Sequence, residues 1–385
     1  MARSLSLLWL VLLVTACNSP QFGSSDFGNL ASSQDPKKAE VLLSQTGSWQ
    51  AMLLLDNGET GVWTVKSFPI FPQYAVPEVV GLDDKGKCHV LVSYSGKWTP
   101  IQVVHDGRWL GGLTHGDVDP RYPGAELYTG GQNGNLYQLR SYPQGALDGR
   151  LIAYLPGREI HTLLAGDLDP ENPGKELLVF TRPGGLFLLT PTGEHGGFET
   201  RFLGDLPGRV RDALVLNPEG GDPEIITVSR AGRIQSLKLR GGSTHWRELF
   251  QTDMGMGRVA RKPGTSRDAP VLYATLDDGR ILRLERQPAG DWQPETIFKG
   301  HQGPRGIAAG RFDADKSKET VAIFGYSGKV ELLSRNGDGW TSELLFQDRD
   351  KGHWLAAAEL DGRNDTEEIL LSGYGSRIVM LVQEP

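Results

Sequence analysis

The chain has 385 residues and a net charge of −7, which argues against a nucleic-acid-binding protein. Its 50 glycines and 23 prolines favour many short strands and tight turns over long helices. The two cysteines exclude a framework of several disulfides, and Cys88, within the apolar run 88–92, is expected to be a small buried side chain.

The amino-terminal residues have the pattern of an export signal. Arg3 supplies a positive charge, and an apolar run follows over 5–14. This run is shorter than the about 20 apolar residues that a membrane-spanning helix needs. It ends in Val-Thr-Ala-Cys at 14–17, which resembles the bacterial lipobox. The resemblance implies a signal peptide over 1–16 and a lipid anchor on Cys17. An ordinary secretory signal with an incidental cysteine is the alternative.

The resemblance to bacterial lipoproteins also carries an expectation about location. In such lipoproteins an aspartate after the cysteine retains the protein at the inner membrane, but here Asn18 follows the cysteine. We therefore expect a protein of the cell envelope, anchored to the outer membrane if the host has two membranes. Residues 17–26 form a short tether, which reaches roughly 35 Å at about 3.5 Å per residue. Because no second apolar span follows, we expect residues 27–385 to be a water-soluble domain held near its membrane.

One unit of four strands recurs along the remaining chain. In the unit over 308–346, a small-residue strand ends in an acidic turn, an apolar strand and a glycine hairpin follow, and a fourth strand opens with Trp340. A two-residue hairpin favours glycine because its turn needs a positive φ. Successive hairpin glycines are 47 to 50 residues apart, except for one interval of 38. This period predicts an all-β propeller with four-stranded antiparallel blades. The glycines are Gly47, Gly96, Gly134, Gly184, Gly232, Gly279, Gly328 and Gly375.

The two ends of the domain resemble each other, and this leaves two blade counts open. Residues 40–44 precede the hairpin at Gly47 as residues 368–372 precede the hairpin at Gly375. If residues 30–36 form a first inner strand, the chain makes eight blades, the last of which lacks its fourth strand. We favour this count. If the first unit instead completes the last one, the ring closes with seven blades.

Two units share nearly the same acidic turn, over 116–127 and 166–177. Both turns resemble FG-GAP or VCBS-type propeller repeats, whose Gly-Asp-x-Asp turn often holds calcium. Calcium takes six to eight oxygen ligands, and alternating aspartates with a later glutamate provide that chemistry. The interpretation we favour has no metal: the aspartates form Asx turns and the glutamate binds the start of the next strand. The calcium ligands implied by the resemblance are Asp167, Asp169 and Glu176 in the second turn. In the first turn they are Asp117, Asp119 and Glu126, where the positive charge of Arg121 would oppose a cation.

Basic residues recur just before the inner strands at spacings of 47 to 51 residues. Inner strands line the central channel of a propeller, so equivalent positions before them gather around one mouth. Such a ring attracts an anion, and arginine binds carboxylate or phosphate with two parallel hydrogen bonds. The other interpretation, which the repetition favours because repeats copy structural roles, is that each arginine pairs with an acidic turn of a neighbouring blade. The predicted ring comprises Arg108, Arg158, Arg209, Arg258, Arg305 and His353, with Tyr74 in the short unit and Trp109 and Trp354 beside it to stack on a sugar or aromatic group.

Catalytic motifs give little support to an enzyme. The sequence has no Ser-His-Asp spacing, no HExxH and no phosphate-binding loop. We therefore interpret the chain as a lipid-anchored propeller that binds a protein or an anionic polysaccharide of the cell envelope and performs no chemistry. The alternative is a lyase-like, polysaccharide-cleaving enzyme in which Tyr74 acts as the base beside the arginines.

Overall fold

The structure, a computed structural model, describes residues 41–94, 96–143, 145–193, 197–216, 222–264, 269–362 and 365–384, and within these ranges every regular element is a β-strand. In chain order the strands are β1 Val41–Thr46, β2 Trp49–Asp56, β3 Val62–Phe68, β4 Glu78–Asp83, β5 Lys87–Tyr94, β6 Lys97–His105, β7 Leu110–Gly116, β8 Glu126–Gly131, β9 Asn135–Ser141, β10 Leu147–Tyr154, β11 Glu159–Gly166, β12 Glu176–Arg182, β13 Gly185–Thr192, β14 Gly197–Asp205, β15 Val210–Leu216, β16 Glu224–Ser229, β17 Arg233–Arg240, β18 Ser243–Gln251, β19 Met256–Arg261, β20 Val271–Leu276, β21 Arg280–Arg286, β22 Trp292–Lys299, β23 Pro304–Ala309, β24 Thr320–Gly325, β25 Lys329–Asn336, β26 Gly339–Gln347, β27 Gly352–Ala358, β28 Glu368–Gly373 and β29 Arg377–Gln383.

Consecutive strands form antiparallel sheets that stand around a central channel. Blades 1 to 6 are β3–β6, β7–β10, β11–β14, β15–β18, β19–β22 and β23–β26. The first strands of neighbouring blades contact one another all the way round, which closes the ring. The predicted all-β propeller of four-stranded antiparallel blades is therefore confirmed.

Strands from both ends of the chain complete blade 7. Strands β27, β28 and β29 come from the carboxyl-terminal end, and β2 pairs with β29 from Trp49 opposite Gln383 to Asp56 opposite Arg377. Strand β1 adds a fifth, outermost strand. The ring thus has seven blades, not the eight that we favoured, because the unit around Gly47 completes the last blade. The proposed inner strand at 30–36, like the signal and tether, lies outside the described residues.

The short interval of 38 residues has a simple cause. Gly134 lies between the second and third strands of its blade, whereas Gly96 lies between the third and fourth strands of blade 1. The residue equivalent to Gly134 in blade 1 is Gly86, which has a φ of 80° and lies 48 residues earlier. Blade 1 is therefore of ordinary length.

Burial follows the position of each strand in its blade. The second strands, such as β8 and β16, are buried at every residue because neighbouring blades cover both faces. The outer strand β26 is exposed along most of its length. Cys88 is buried in β5, as expected, and burial raises the pKa of its thiol. The described part of the chain contains no helix long and apolar enough to cross a membrane.

Candidate functional site

Each inner strand begins with a β-bulge at the same end of the channel. In every blade the pairing with the second strand skips one residue near the start of the inner strand, or two in blade 5. A bulge bends its strand and redirects a side chain. The skipped residues all line one cavity at this end of the channel: Trp63, Gly111, His161, Arg211, Gly257, Arg258, Arg305 and His353.

This mouth cavity has a volume of about 310 Å³ and concentrates positive charge in a protein whose net charge is negative. Six arginines line it, three of them at the bulges or beside them and three around the rim. No carboxylate is among its lining residues in the part of the chain that is described. The arginines are Arg182, Arg209, Arg211, Arg230, Arg258 and Arg305.

Two carboxylates just outside the lining neutralise part of this charge. Asp277 accepts hydrogen bonds from Arg211 at 2.8 Å and from Arg305 at 2.5 Å. Glu159 pairs with Arg182 at 2.8 Å. Arg209 and Arg230 have no carboxylate within 4.0 Å among the described residues. The predicted pairing with acidic turns is wrong for Arg209, Arg258 and Arg305, because those turns follow the ends of the inner strands and these arginines lie at or just before the starts.

Three buried N–H donors around the mouth cavity have no acceptor among the described residues. They are Nε of Arg209, Nε of Arg258 and Nε1 of Trp63. Burial, with the neighbouring arginines, lowers the pKa of Arg209 to about 10 and that of Arg258 to about 9. Both guanidinium groups therefore remain protonated at neutral pH. Buried donors without acceptors are costly, so the cavity is suited to an anion that accepts from them.

Arg258 and the two histidines each contact a tryptophan ring: Arg258 contacts Trp354, His353 contacts Trp63 and His161 contacts Trp109. The guanidinium of Arg258 lies 4.0 Å from the ring centroid of Trp354 and donates to the carbonyl oxygen of Arg211. His353 Nδ1 donates to the carbonyl oxygen of Trp63 at 2.7 Å. Burial, then the nearby arginines, lower the pKa of His161 and His353 well below the usual range. Both histidines are therefore neutral at pH 7 and add no positive charge.

A pair of tyrosines stands at the rim beside Arg305. The hydroxyls of Tyr326 and Tyr374 are 3.2 Å apart, and Nε of Arg305 donates to Tyr326 at 3.3 Å. Burial opposes ionisation of Tyr326, but these hydrogen bonds and the charge of Arg305 outweigh it, so its pKa lies below the ordinary value. Burial and the contact with Tyr326 raise the pKa of Tyr374 to about 12.

The structure brings together six residues of the predicted ring. Arg209, Arg258, Arg305, His353, Trp109 and Trp354 line the mouth cavity, and Arg108, Arg158 and Tyr74 do not. Arg108 is exposed, and Arg158 contacts Asp205 at 3.3 Å on the outer side. Tyr74 packs edge-on against Phe71. The placement of these three residues at the channel mouth is therefore wrong.

The reason lies in the register of the bulges. Arg305 and His353 occupy the skipped position itself, whereas Arg108 and Arg158 precede the skipped residues Gly111 and His161 by three positions. The predicted ring thus combined residues that lie at different positions relative to the bulge. The lining residues that were missed are Trp63, Thr64, Gly111, His161, Arg182, Arg211, Arg230, Gly257, Tyr326 and Tyr374. Four of these residues end or directly follow a second strand: Arg182, Arg230, Tyr326 and Tyr374. They are separated by 48 residues or by a multiple of 48, so the sequence contained a signal for them.

The acidic turns of blades 2 and 3 are held by protein donors. Asp119 is fully buried and accepts hydrogen bonds from Arg121, from Arg150 at 2.8 Å and from Gln138 at 3.2 Å. Glu126 accepts the backbone N–H of Val118 at 3.1 Å. The expected Asx turn is thus present, and Glu126 at the start of β8 binds the backbone of the turn and so holds the start of its strand. Asp117 pairs with Lys175 at 2.8 Å.

The turn of blade 3 is similar. Asp169 accepts backbone N–H groups from Glu171 at 3.2 Å and from Gly241 at 3.0 Å, and Glu176 accepts from Leu168 at 3.0 Å. Asp167 is exposed in the same turn. Among the described residues, a group of three neighbouring carboxylates lies in a different turn, in blade 7. The carboxylate oxygens of Glu359, Asp361 and Glu368 lie within 4.8 Å of one another.

Comparison with known proteins supports the fold. No protein-family model matches the chain, and no curated protein matches it significantly in sequence. Solved structures, a WD40 β-propeller among them, match it in structure. The WD40 β-propeller domain of Doa1 has a TM-score of 0.59 at 11% identity, covering 90% of this chain and 97% of that one. YCF48 bound to D1 peptide has a TM-score of 0.58 at 12% identity, covering 91% and 99%. Saccharomyces cerevisiae Sqt1 has a TM-score of 0.57 at 14% identity, covering 86% and 98%.

Proposed function

We propose that this protein is a lipid-anchored binding module of the cell envelope whose mouth cavity holds an anionic group of a protein or of an acidic polysaccharide. The observation that carries the proposal is the set of buried donors without acceptors on Arg209, Arg258 and Trp63. A bound carboxylate or phosphate would accept from them and offset the unpaired charge of Arg209 and Arg230. The rings of Trp109 and Trp63 at the same cavity offer faces for a sugar.

The anchor is supported by the sequence of the first seventeen residues, which lie outside the described part of the chain. A lipid on Cys17 would hold the propeller within a short tether of the membrane, so its partner would be a component of the envelope. The acidic turns that resemble FG-GAP or VCBS-type repeats fit an exported propeller. Labelling cells with a palmitate analogue tests the anchor: the wild-type chain should take up label, and Cys17→Ser should not. Equal labelling of both would contradict it.

A binding measurement with defined probes tests the mouth cavity. The probes are trigalacturonate, for an acidic polysaccharide, and triglutamate, for an acidic protein segment. Replacing Arg209 and Arg230 with alanine should weaken binding of the preferred probe by about tenfold or more per arginine, since a hydrogen bond to a charged group contributes about 1.5–3 kcal/mol. The matched control replaces the exposed Arg247 and Arg311. It removes the same number of positive charges, and neither residue lines the mouth cavity.

The outcomes are distinct. Weakened binding at an unchanged melting temperature supports the proposal, and the probe that binds more tightly indicates the class of partner. Equal weakening in the control pair would mean that only net charge matters. A loss of melting temperature in the Arg209 and Arg230 variant without a loss of binding would make these arginines structural.

The lyase-like alternative has one observation in its favour. Tyr326, not Tyr74, is the tyrosine that lies beside an arginine of the mouth cavity, and its pKa is lowered there. A phenolate is a suitable general base for abstracting a proton next to a carboxylate that arginines neutralise. In this candidate function, the purified protein releases unsaturated products from polygalacturonate and Tyr326→Phe stops the release. The absence of product from the wild-type protein across a panel of acidic polysaccharides would end it.

A further inference from the structure

The central channel holds a second cavity, which we name the lower chamber. It has a volume of about 290 Å³ and lies further along the inner strands than the mouth cavity. Arg258 and Trp354 line both cavities and so lie between them. The lower chamber is therefore a separate site with a different lining. Its residues are Lys66, Ser67, Phe68, Asp212, Ala213, Leu214, Arg258, Val259, Ile307, Trp354, Leu355, Ala356 and Ala357.

Nine of the thirteen described lining residues have apolar side chains. Phe68, Leu214, Ala356 and Ala357 are half-buried and come from the inner strands of three different blades, whereas Ile307 and Leu355 pack mainly into the cores between blades. Pockets of this kind bind small molecules that have an apolar body and a few polar groups. In contrast to the mouth cavity, where arginines predominate, the lower chamber has three charged side chains among its described lining residues.

Those three side chains leave an excess of positive charge. Arg258 and Asp212 offset one another, and Asp212 also accepts the backbone N–H groups of Ala213 at 3.0 Å and Val259 at 3.1 Å. Lys66 has no carboxylate within 4.0 Å among the described residues. If Asp212 holds a proton, the positive excess is larger still. With one carboxylate against two cations, the described lining therefore carries at least one excess positive charge.

Lys66 is also incompletely hydrogen-bonded. Its ammonium donates to the carbonyl oxygen of Leu113 at 3.0 Å and lies 5.4 Å from the ring centroid of Trp354. An ammonium group has three N–H donors, and the described residues accept one of them. Burial lowers the pKa of Lys66 and outweighs the opposing effect of the Asp212 carboxylate, the direction expected for a desolvated cation that makes no direct ion pair.

We propose that the lower chamber binds a small monocarboxylic acid with an aliphatic or aromatic body, whose carboxylate accepts from Lys66 and whose body packs against the half-buried Phe68, Leu214, Ala356 and Ala357. One excess charge matches one carboxylate. A dianion would leave a charge unpaired among apolar walls, and a neutral apolar molecule would leave Lys66 without an acceptor. This site is independent of the anion site in the mouth cavity.

The test compares three six-carbon probes on the purified propeller by calorimetry: hexanoate, hexanol and hexyl phosphate. Hexanoate should bind at least about tenfold more tightly than hexanol, because a hydrogen bond to a charged group is lost without the carboxylate. Lys66→Met should remove that advantage and leave hexanol unchanged. As a control, the variant that lacks Arg209 and Arg230 should bind hexanoate with the affinity of the wild type. This expectation holds whether or not the variant binds trigalacturonate more weakly.

Several results would overturn the proposal. Equal affinity for hexanoate and hexanol would remove the role of Lys66, and tighter binding of hexyl phosphate would favour a dianionic ligand instead. Loss of hexanoate binding in the Arg209 and Arg230 variant alone would assign the acid to the mouth cavity. If Lys66→Met does not fold, 6-bromohexanoate soaked into crystals of the wild type decides: anomalous density should lie among Phe68, Leu214 and Ala356, and density elsewhere or none would contradict the site.

Discussion

Asp277 is the carboxylate that most limits the positive charge of the mouth cavity, so its neutralisation makes a sharp prediction. It accepts from both Arg211 and Arg305, whose side chains are 8% and 15% exposed. Asp277→Asn keeps the shape but removes the charge. Breaking a buried ion pair costs about 3–5 kcal/mol, and Asp277 itself is 29% exposed. We therefore expect the free energy of unfolding to fall by about 3 kcal/mol, at the lower end of that range.

The same change should strengthen the binding of an anion. With Asp277 neutral, Arg211 and Arg305 are free to donate to the ligand, so the affinity for trigalacturonate should rise by about tenfold or more. At a ligand concentration ten times the wild-type dissociation constant, binding stabilises the wild type by about 1.4 kcal/mol and a tenfold tighter variant by about 2.7 kcal/mol. Ligand should thus protect the variant more than the wild type.

The assay is denaturant unfolding of both proteins with and without the ligand, together with calorimetric titration. The control is Asp291→Asn, which removes a carboxylate that is 78% exposed and pairs with Arg247 away from the cavity. It should change neither stability nor affinity by a measurable amount. Unchanged or weaker anion binding by Asp277→Asn would refute the reasoning, because it would mean that the arginines of the mouth cavity do not act on a ligand.

Three further outcomes are expected. Trp49→Ala, in the strand that closes the ring, should lower the free energy of unfolding by about 3–5 kcal/mol in denaturant unfolding, because Trp49 is 2% exposed. Trp246→Ala, at a half-buried tryptophan of blade 4, should lower it less, and equal losses would contradict this. Burial raises the pKa of Glu176 to about 7 in the folded protein, whereas an unfolded chain has a pKa of about 4.3. Stability should therefore fall as the pH rises from about 4.3 to about 7. Glu176→Gln should flatten the dependence of the melting temperature on pH, and an unchanged dependence would refute this. Because Arg121, Arg150 and Gln138 donate to Asp119, a chelator should leave the melting temperature unchanged, and a fall that calcium reverses would show a structural ion.

Short-range features of the sequence determined the kind of fold. A period of 47 to 50 residues, hairpin glycines and apolar second strands each depend on a few neighbouring residues, and together they require a propeller. The number of blades depends on a contact that no local pattern contains. Trp49 pairs with Gln383, more than three hundred residues away, and a similar local sequence would have suited an eighth blade. Only the geometry of the closed ring decides between the two counts.

The site divides in the same way. That basic residues recur before the inner strands is a property of the sequence, and it led to Arg209, Arg258, Arg305 and His353 at the channel mouth. Which residue of each segment points into the channel depends on the bulge, and a shift of one residue moves a side chain to the other face of a strand. The bulge forms where each inner strand meets its second strand, so only the tertiary structure decided that Arg211 and His161 face the cavity while Arg158 does not.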